Sequence, residues 1–118
     1  MTKLPIDSKT VVLISKNGMG IADEALTQKL ISTYLRLLLE NEYLPAAICF
    51  YTEGVKLAVE GSPVLAELQK LEEKQVRLIL CSTCLNFFGL MDKIQVGIPG
   101  GMNDIVEAQW KAEKVITL

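Results

Sequence analysis

Two rhythms of apolar and polar positions alternate along this chain. Five short runs, at residues 9–15, 45–50, 76–80, 93–97 and 114–118, carry the aliphatic and β-branched content of buried strands. Pro45 stands at the start of the second run, a place a strand tolerates. Between the first two runs the period lengthens. Over residues 22–42, Ala22, Leu26, Leu30, Ile31, Tyr34, Leu35 and Leu38 recur at helical spacing, which predicts a long helix with these side chains on its inner face. Residues 54–59 predict a short helix. Ser62-Pro63 predicts a helix start, with Ser62 as N-cap and Pro63 in the first turn. That helix turns Val64, Leu65, Leu68 and Leu71 inward and Glu67, Lys70, Glu72 and Glu73 to water. After the third run only one or two helical turns fit before Gly89 ends them. Asn103-Asp104 can cap a last helix running through Trp110.

Strands alternating with helices imply right-handed crossovers. The expected architecture is α/β: a three-layer α/β/α sandwich around a mostly parallel five-stranded sheet, one domain over residues 1–118. The pattern leaves strand order open. Leu37-Leu38-Leu39 spans about 200° of a helix circumference. One sheet face cannot bury that arc, so either a neighbouring helix or another subunit must cover part of it.

Composition narrows the function classes. Half of the 118 residues are apolar, and mean hydropathy is +0.32. The longest apolar runs fall well short of the ~20 residues a membrane span needs. A fully buried parallel sheet, with an oligomer interface, accounts for the apolarity. Net charge is −2 with scattered basic residues, which gives no nucleic-acid footprint. Residues 1–5 lack the pattern of an export signal, and three cysteines are an odd number; together these predict reduced thiols in the cytoplasm. Histidine is absent. That removes Cys–His pairs, Ser–His–Asp triads and most zinc arrangements, and no cofactor is implied.

The loops that leave the carboxyl ends of the strands are the unusual ones. They contain Lys16-Asn17-Gly18-Met19-Gly20, Thr52-Glu53-Gly54, Cys81-Ser82-Thr83-Cys84 and the segment 97–103 with Gly100 and Asn103. In open α/β sheets ligands bind at that edge, so function is expected there. Cys81 and Cys84 are the candidate catalytic residues. Lys16, Asn17, Gly18, Gly20, Glu53, Gly54, Ser82, Thr83, Gly100 and Asn103 are candidate lining residues. Two thiols at a strand-to-helix turn meet free N–H groups and the positive end of the helix dipole, which favours the thiolate over a free thiol of pKa about 8.5.

Each feature has a plainer reading. Cys81 and Cys84 can be buried small residues. One CxxC supplies two metal ligands only, so no metal site is expected. Cys49 reads as an inert core residue. Gly18-Met19-Gly20 is either a cradle for an anion or a tight turn, and Asp23 stands where a dinucleotide fingerprint needs glycine; the turn is favoured, with Lys16 adding positive potential near the thiols. Segment 97–103 either closes over the thiols or simply reverses the chain, and Met19 and Met102 either rim a docking site or pack locally.

Four segments taken in order resemble the DsrE/DsrF-like family of small sulfur-relay proteins, which includes TusD-related members. They are the first strand with its Lys16–Gly20 loop; Phe50-Tyr51-Thr52-Glu53-Gly54-Val55; Cys81-Ser82-Thr83-Cys84-Leu85-Asn86-Phe87-Phe88-Gly89-Leu90; and the ending from Ile105 to Leu118. Within that family the chain looks closest to the DsrE-like domain of YedF-type, sulfurtransferase-like selenium-metabolism proteins. The resemblance implies an intracellular persulfide carrier that passes sulfur to an acceptor thiol, a sulfurtransferase in the broad sense. It implies Cys81 as the carrier, eight residues before Gly89, with Cys84 assisting or resolving, whereas helix-start position alone favours Cys84. Ser82 stands where glycine is common in the family. Further implications are donor and acceptor proteins, among them a TusA-like carrier on a separate chain, and assembly into trimers or hexamers. Neither nucleic acid nor membrane is an expected direct partner. Two rival readings remain open: a CxxC dithiol oxidoreductase, and a non-catalytic oligomeric module binding a small anion or nucleotide.

Overall fold

The computed structural model of the chain describes residues 6–118; what was expected of residues 1–5 lies outside the described residues. In order, the elements are strand β1 (Ile6–Ile14), helix α1 (Glu24–Asn41), β2 (Leu44–Phe50), a 3-10 segment (Thr52–Ala58), α2 (Leu65–Glu73), β3 (Arg77–Cys81), α3 (Ser82–Phe87), a 3-10 turn (Met91–Lys93), β4 (Ile98–Gly100), α4 (Met102–Lys111) and β5 (Lys114–Thr117). The strands form one sheet in the order β4-β3-β2-β1-β5. Every pairing is parallel. The α/β architecture is therefore as expected.

The strand order divides the helices between the two faces. From β1 through β2 and β3 to β4 each crossover steps in one direction; from β4 the chain steps back past β1 to β5. Right-handed connections then place α1, α2 and α3 on one face and α4 alone on the other. The contacts agree, with α1 against α2 and α4 lying across β1, β3 and β4. Sandwiched between these layers, Val11 to Ile14, Ala47 to Phe50 and Leu78 to Cys81 are buried without alternation, the signature of strands covered on both faces.

Several boundaries move, each for a local reason. Helix α1 starts where the Asp23 carboxylate accepts the Ala25 N–H at 2.9 Å, and ends at Glu42, in the left-handed region at φ 56°. Its buried stripe is Thr27, Ile31, Leu35 and Leu38; Leu26 and Leu30, expected inside, are exposed. Of the three consecutive leucines, Leu38 is buried, Leu39 packs against the core and Leu37 stays exposed. Helix α2 begins at Leu65 rather than Pro63, because the Ser62 hydroxyl accepts the Val64 N–H (3.1 Å) and closes a turn before the helix.

The fourth strand is the main correction. Residues 93–97 do not join the sheet. Ile94 instead makes an isolated antiparallel bridge to Val59, and the Gln95 N–H donates to the Ala58 carbonyl (2.9 Å). The segment that pairs with β3 is Ile98-Pro99-Gly100, so the middle of segment 97–103 is an edge strand and its end, Met102 and Asn103, begins α4. Pro99 is tolerated there because an edge leaves one side of the strand unpaired. The cap of α4 likewise lies two residues before Asn103, the expected position. Gly101 precedes its first turn, and Asp104 reaches back to accept the Gly101 N–H at 3.1 Å.

Candidate functional site

Cys81 is the last residue of β3 and the N-cap of α3; Cys84 is the third residue of α3. The N-cap and the third helical residue lie on the same side of a helix's first turn, so the two thiols are neighbours, and Cys81 bears on the titration of Cys84. They differ in depth. Cys81 is 1% exposed, whereas Cys84 is half-buried. On its other side the Cys81 sulfur lies 3.8 Å from the Met102 sulfur, at the first turn of α4. Its neighbour across the sheet is Gly100; a Cβ on Gly100 would come within 3.0 Å of the Ile79 side chain and 2.9 Å of Asp104.

Cys84 takes its most specific contact from an unforeseen residue. The Thr52 backbone N–H donates to Cys84 Sγ at 3.0 Å. Thr52 sits at φ 46°, an outlier for a β-branched side chain. Its hydroxyl donates to the Ser15 carbonyl at 2.6 Å, which ties the end of β2 to the end of β1. The next turn is locked by Gly54, where an added Cβ would fall 2.1 Å from the Ile14 carbonyl oxygen. The strained residue is therefore held from both sides, as strained site residues generally are.

The electrostatics run against the expected thiolate. Burial pushes the Cys84 thiol above its ordinary range; the Cys81 thiol beside it pushes the same way, and the Thr52 N–H is the opposing influence. Helix α3 has six residues, too short for a strong dipole, and the Cys84 sulfur turns towards Thr52 rather than to the free N–H groups of the first turn. Cys49 is fully buried, and burial raises its pKa to about 11, as suits an inert core thiol.

The other candidate residues scatter. Lys16 points its ammonium at the Leu118 carbonyl (3.4 Å), beyond the end of β5; β5 stands three strands from β3, about 14 Å at ordinary strand spacing. Lys16 therefore adds no charge beside the thiols. The Asn17 carbonyl accepts from Gln28 (3.5 Å). Gly18 packs against Thr27, and the Met19 N–H donates inward to the Thr27 carbonyl (2.9 Å), so this loop has the geometry of a turn more than of an anion cradle. Gly20 has open space around it. Glu53 pairs with Lys56 at 2.6 Å, and that ammonium also lies 4.6 Å from the centre of the Phe88 ring, fastening the 3-10 segment to the end of α3. Ser82 is half-buried, Thr83 exposed, and Asn103 exposed in the first turn of α4. The structure thus brings Cys81, Cys84, Gly100 and the Thr52–Gly54 turn together, and adds Thr52 and Met102 as their immediate partners. Met102 carried a signal, as one of two methionines in these loops. Thr52 was legible only as a member of the Thr52-Glu53-Gly54 loop, because no sequence pattern announces a threonine in the left-handed region.

Among the described residues no three His, Cys, Asp or Glu side chains gather as a metal-binding set, and no helix is long and apolar enough to cross a membrane. Three solved structures share the fold. The YchN protein of E. coli is 20% identical with a TM-score of 0.70, the match covering 94% of this chain and 99% of that one. The MTH1491 protein of Methanobacterium thermoautotrophicum is 21% identical, TM-score 0.69, with 95% and 100% covered. The BT1422 protein of Bacteroides thetaiotaomicron is 14% identical, TM-score 0.67, with 93% and 95% covered. No curated protein matches the sequence. The family model of the DsrE/DsrF-like proteins matches residues 9–118, nearly the whole length, and the chain belongs to that family.

Proposed function

We propose that this protein is a cytoplasmic sulfur carrier in which Cys84 takes sulfur from a donor persulfide, holds it as Cys84–S–SH and yields the outer sulfur to an acceptor thiol. The observation that carries this reading is the unequal exposure of the two thiols. Cys84 lies partly open at the carboxyl edge of the sheet, with its sulfur on the Thr52 N–H, while Cys81 is buried. A macromolecular donor can reach the first and not the second. The resemblance pointed to Cys81; burial favours exchanging the two roles. Loading proceeds through the thiolate fraction of Cys84, with the Thr52 N–H available to the anion. Membership of a family generally tied to sulfur relay supports the same reading.

Donor and acceptor are separate proteins in this proposal, a TusA-like carrier being one acceptor of suitable chemistry. Incubating the Cys81→Ser variant with an isotopically labelled persulfide donor should add one sulfur atom, removable by thiol reductant, and Cys84→Ser should gain none. Equal gains, or no gain in either, would overturn the assignment.

Self-association belongs to the same proposal. Two apolar stripes remain uncovered: Leu26, Leu30 and Leu37 on α1, and Met102, Val106 and Trp110 on α4, where Trp110 is 84% exposed. Stripes of this kind suit contact with further copies of the chain.

A further inference from the structure

Cys81 has no outlet to solvent, and the sulfur atoms placed against it are those of Cys84 and Met102. A thioether does not exchange. The chemistry open to Cys81 is therefore chemistry on Cys84. From this we infer a second activity, resting on the carrier reading above: Cys81 acts as an internal reductant that discharges the Cys84 persulfide as hydrosulfide.

In this step Cys81 Sγ attacks the inner sulfur of Cys84–S–SH. The Cys81–Cys84 disulfide forms, the bond to the outer sulfur breaks, and the pair of electrons leaves with hydrosulfide. The Cys81 proton ends on that ion, giving hydrogen sulfide. Atoms balance: one persulfide and one thiol give one disulfide and one molecule of hydrogen sulfide, the sulfane sulfur being reduced and the two cysteines oxidised. A low-molecular-weight or protein dithiol then restores the reduced pair.

Two physical points favour the inner sulfur over the outer one. Cys81 is buried and Cys84 half-open, so a donor delivers its sulfur from the open side of Cys84, leaving the inner sulfur as the one nearer the buried thiol. Leaving-group chemistry agrees. Attack on the outer sulfur would expel the Cys84 thiolate, which its surroundings make a stronger base; attack on the inner one expels hydrosulfide, a weaker base that leaves faster. The burial of Cys81 also keeps it from competing for external donors. Sulfur on Cys84 accordingly has two fates, capture by a docked acceptor thiol or release as sulfide when none arrives.

A single-turnover experiment on the reduced full chain tests this, with glutathione persulfide as the probe and protein in excess. The wild type should release sulfide, lose two hydrogens in intact mass and yield a Cys81–Cys84 disulfide peptide. The Cys81→Ser variant should keep the extra sulfur and release sulfide on the order of a hundredfold more slowly, having lost its intramolecular nucleophile. Cys81→Ala serves in its place if a buried serine prevents folding. A wild type that keeps its extra sulfur, or a Cys81 variant that releases sulfide at the wild-type rate, overturns the internal reduction while leaving the carrier reading intact. Sulfur appearing on neither chain overturns both.

Discussion

At the scale of single residues, the site is governed by what surrounds the Cys84 sulfur. Burial and the neighbouring thiol keep it protonated at neutral pH, so its alkylation should be slow at pH 7 and rise as pH passes through a value above that of a free thiol. Cys81 raises that value, so Cys81→Ala should lower it and speed alkylation at any fixed pH below it. Iodoacetamide kinetics followed by intact mass check both; an unchanged or slower variant would contradict the coupling. Cys49 gives a separate stability prediction. Its folded pKa of about 11 exceeds that of the unfolded thiol, so the native state holds a proton that the unfolded chain releases first. Stability should be unaffected below the ordinary thiol range and fall as pH climbs from there to about 11. Urea midpoints across that window should show less decline in Cys49→Ala, measured against its own neutral-pH value.

At the scale of elements, the Thr52–Gly54 turn holds Thr52 against Cys84. Gly54→Ala places a methyl 2.1 Å from the Ile14 carbonyl oxygen, and the backbone must move; a loss on the order of 3 kcal/mol is expected. Gly20→Ala meets open space, with strain only from φ 81°, and should cost about 1–2 kcal/mol. Equilibrium denaturation compares the two, and a Gly54 variant as stable as the Gly20 one would refute the tight approach. What the sequence made legible divides along the same physical line. Strands β1, β2 and β3 and helices α1 and α2 were readable because their apolar period is set by the core they face. Strand β5, largely exposed, was readable from its β-branched run, and α3 and α4 from the turn and cap residues around them. The fourth strand was not: Ile94 and Val96 alternate like a strand yet serve a local bridge to the 3-10 segment, while Ile98-Pro99-Gly100 looks like a turn and is an edge strand. Its place is decided by the open side of β3, a tertiary fact absent from local pattern. The thiol pair and its position at the sheet edge could be read from four residues. Their unequal depth and the raised basicity of Cys84 could not, since these depend on how the chain packs around them, with Met102 against Cys81 and the turn at Thr52 against Cys84, both distant in the chain.

At the scale of the whole molecule, α4 covers one face of the sheet unaided while the other face carries three helices. Its outward stripe of Met102, Val106 and Trp110 begins at the residue touching Cys81. If copies associate through this stripe or through the α1 leucines, the wild type should sediment well above its 13.0 kDa monomer mass. Trp110→Glu or Leu30→Glu should then shift it towards the monomer with little change in its circular dichroism. A wild type that sediments as a monomer at micromolar concentration would remove this part of the proposal.

The position of β5 sets an order of events during synthesis. β1 is synthesised well before β5, so the flank that β5 will occupy stays unpaired until residues 114–117 are translated. Over that interval the nascent chain presents a long aliphatic ribbon with free N–H and C=O groups, the kind of edge that recruits stray strands. A stop codon ahead of Lys114 should therefore yield inclusion bodies rather than a shorter soluble product.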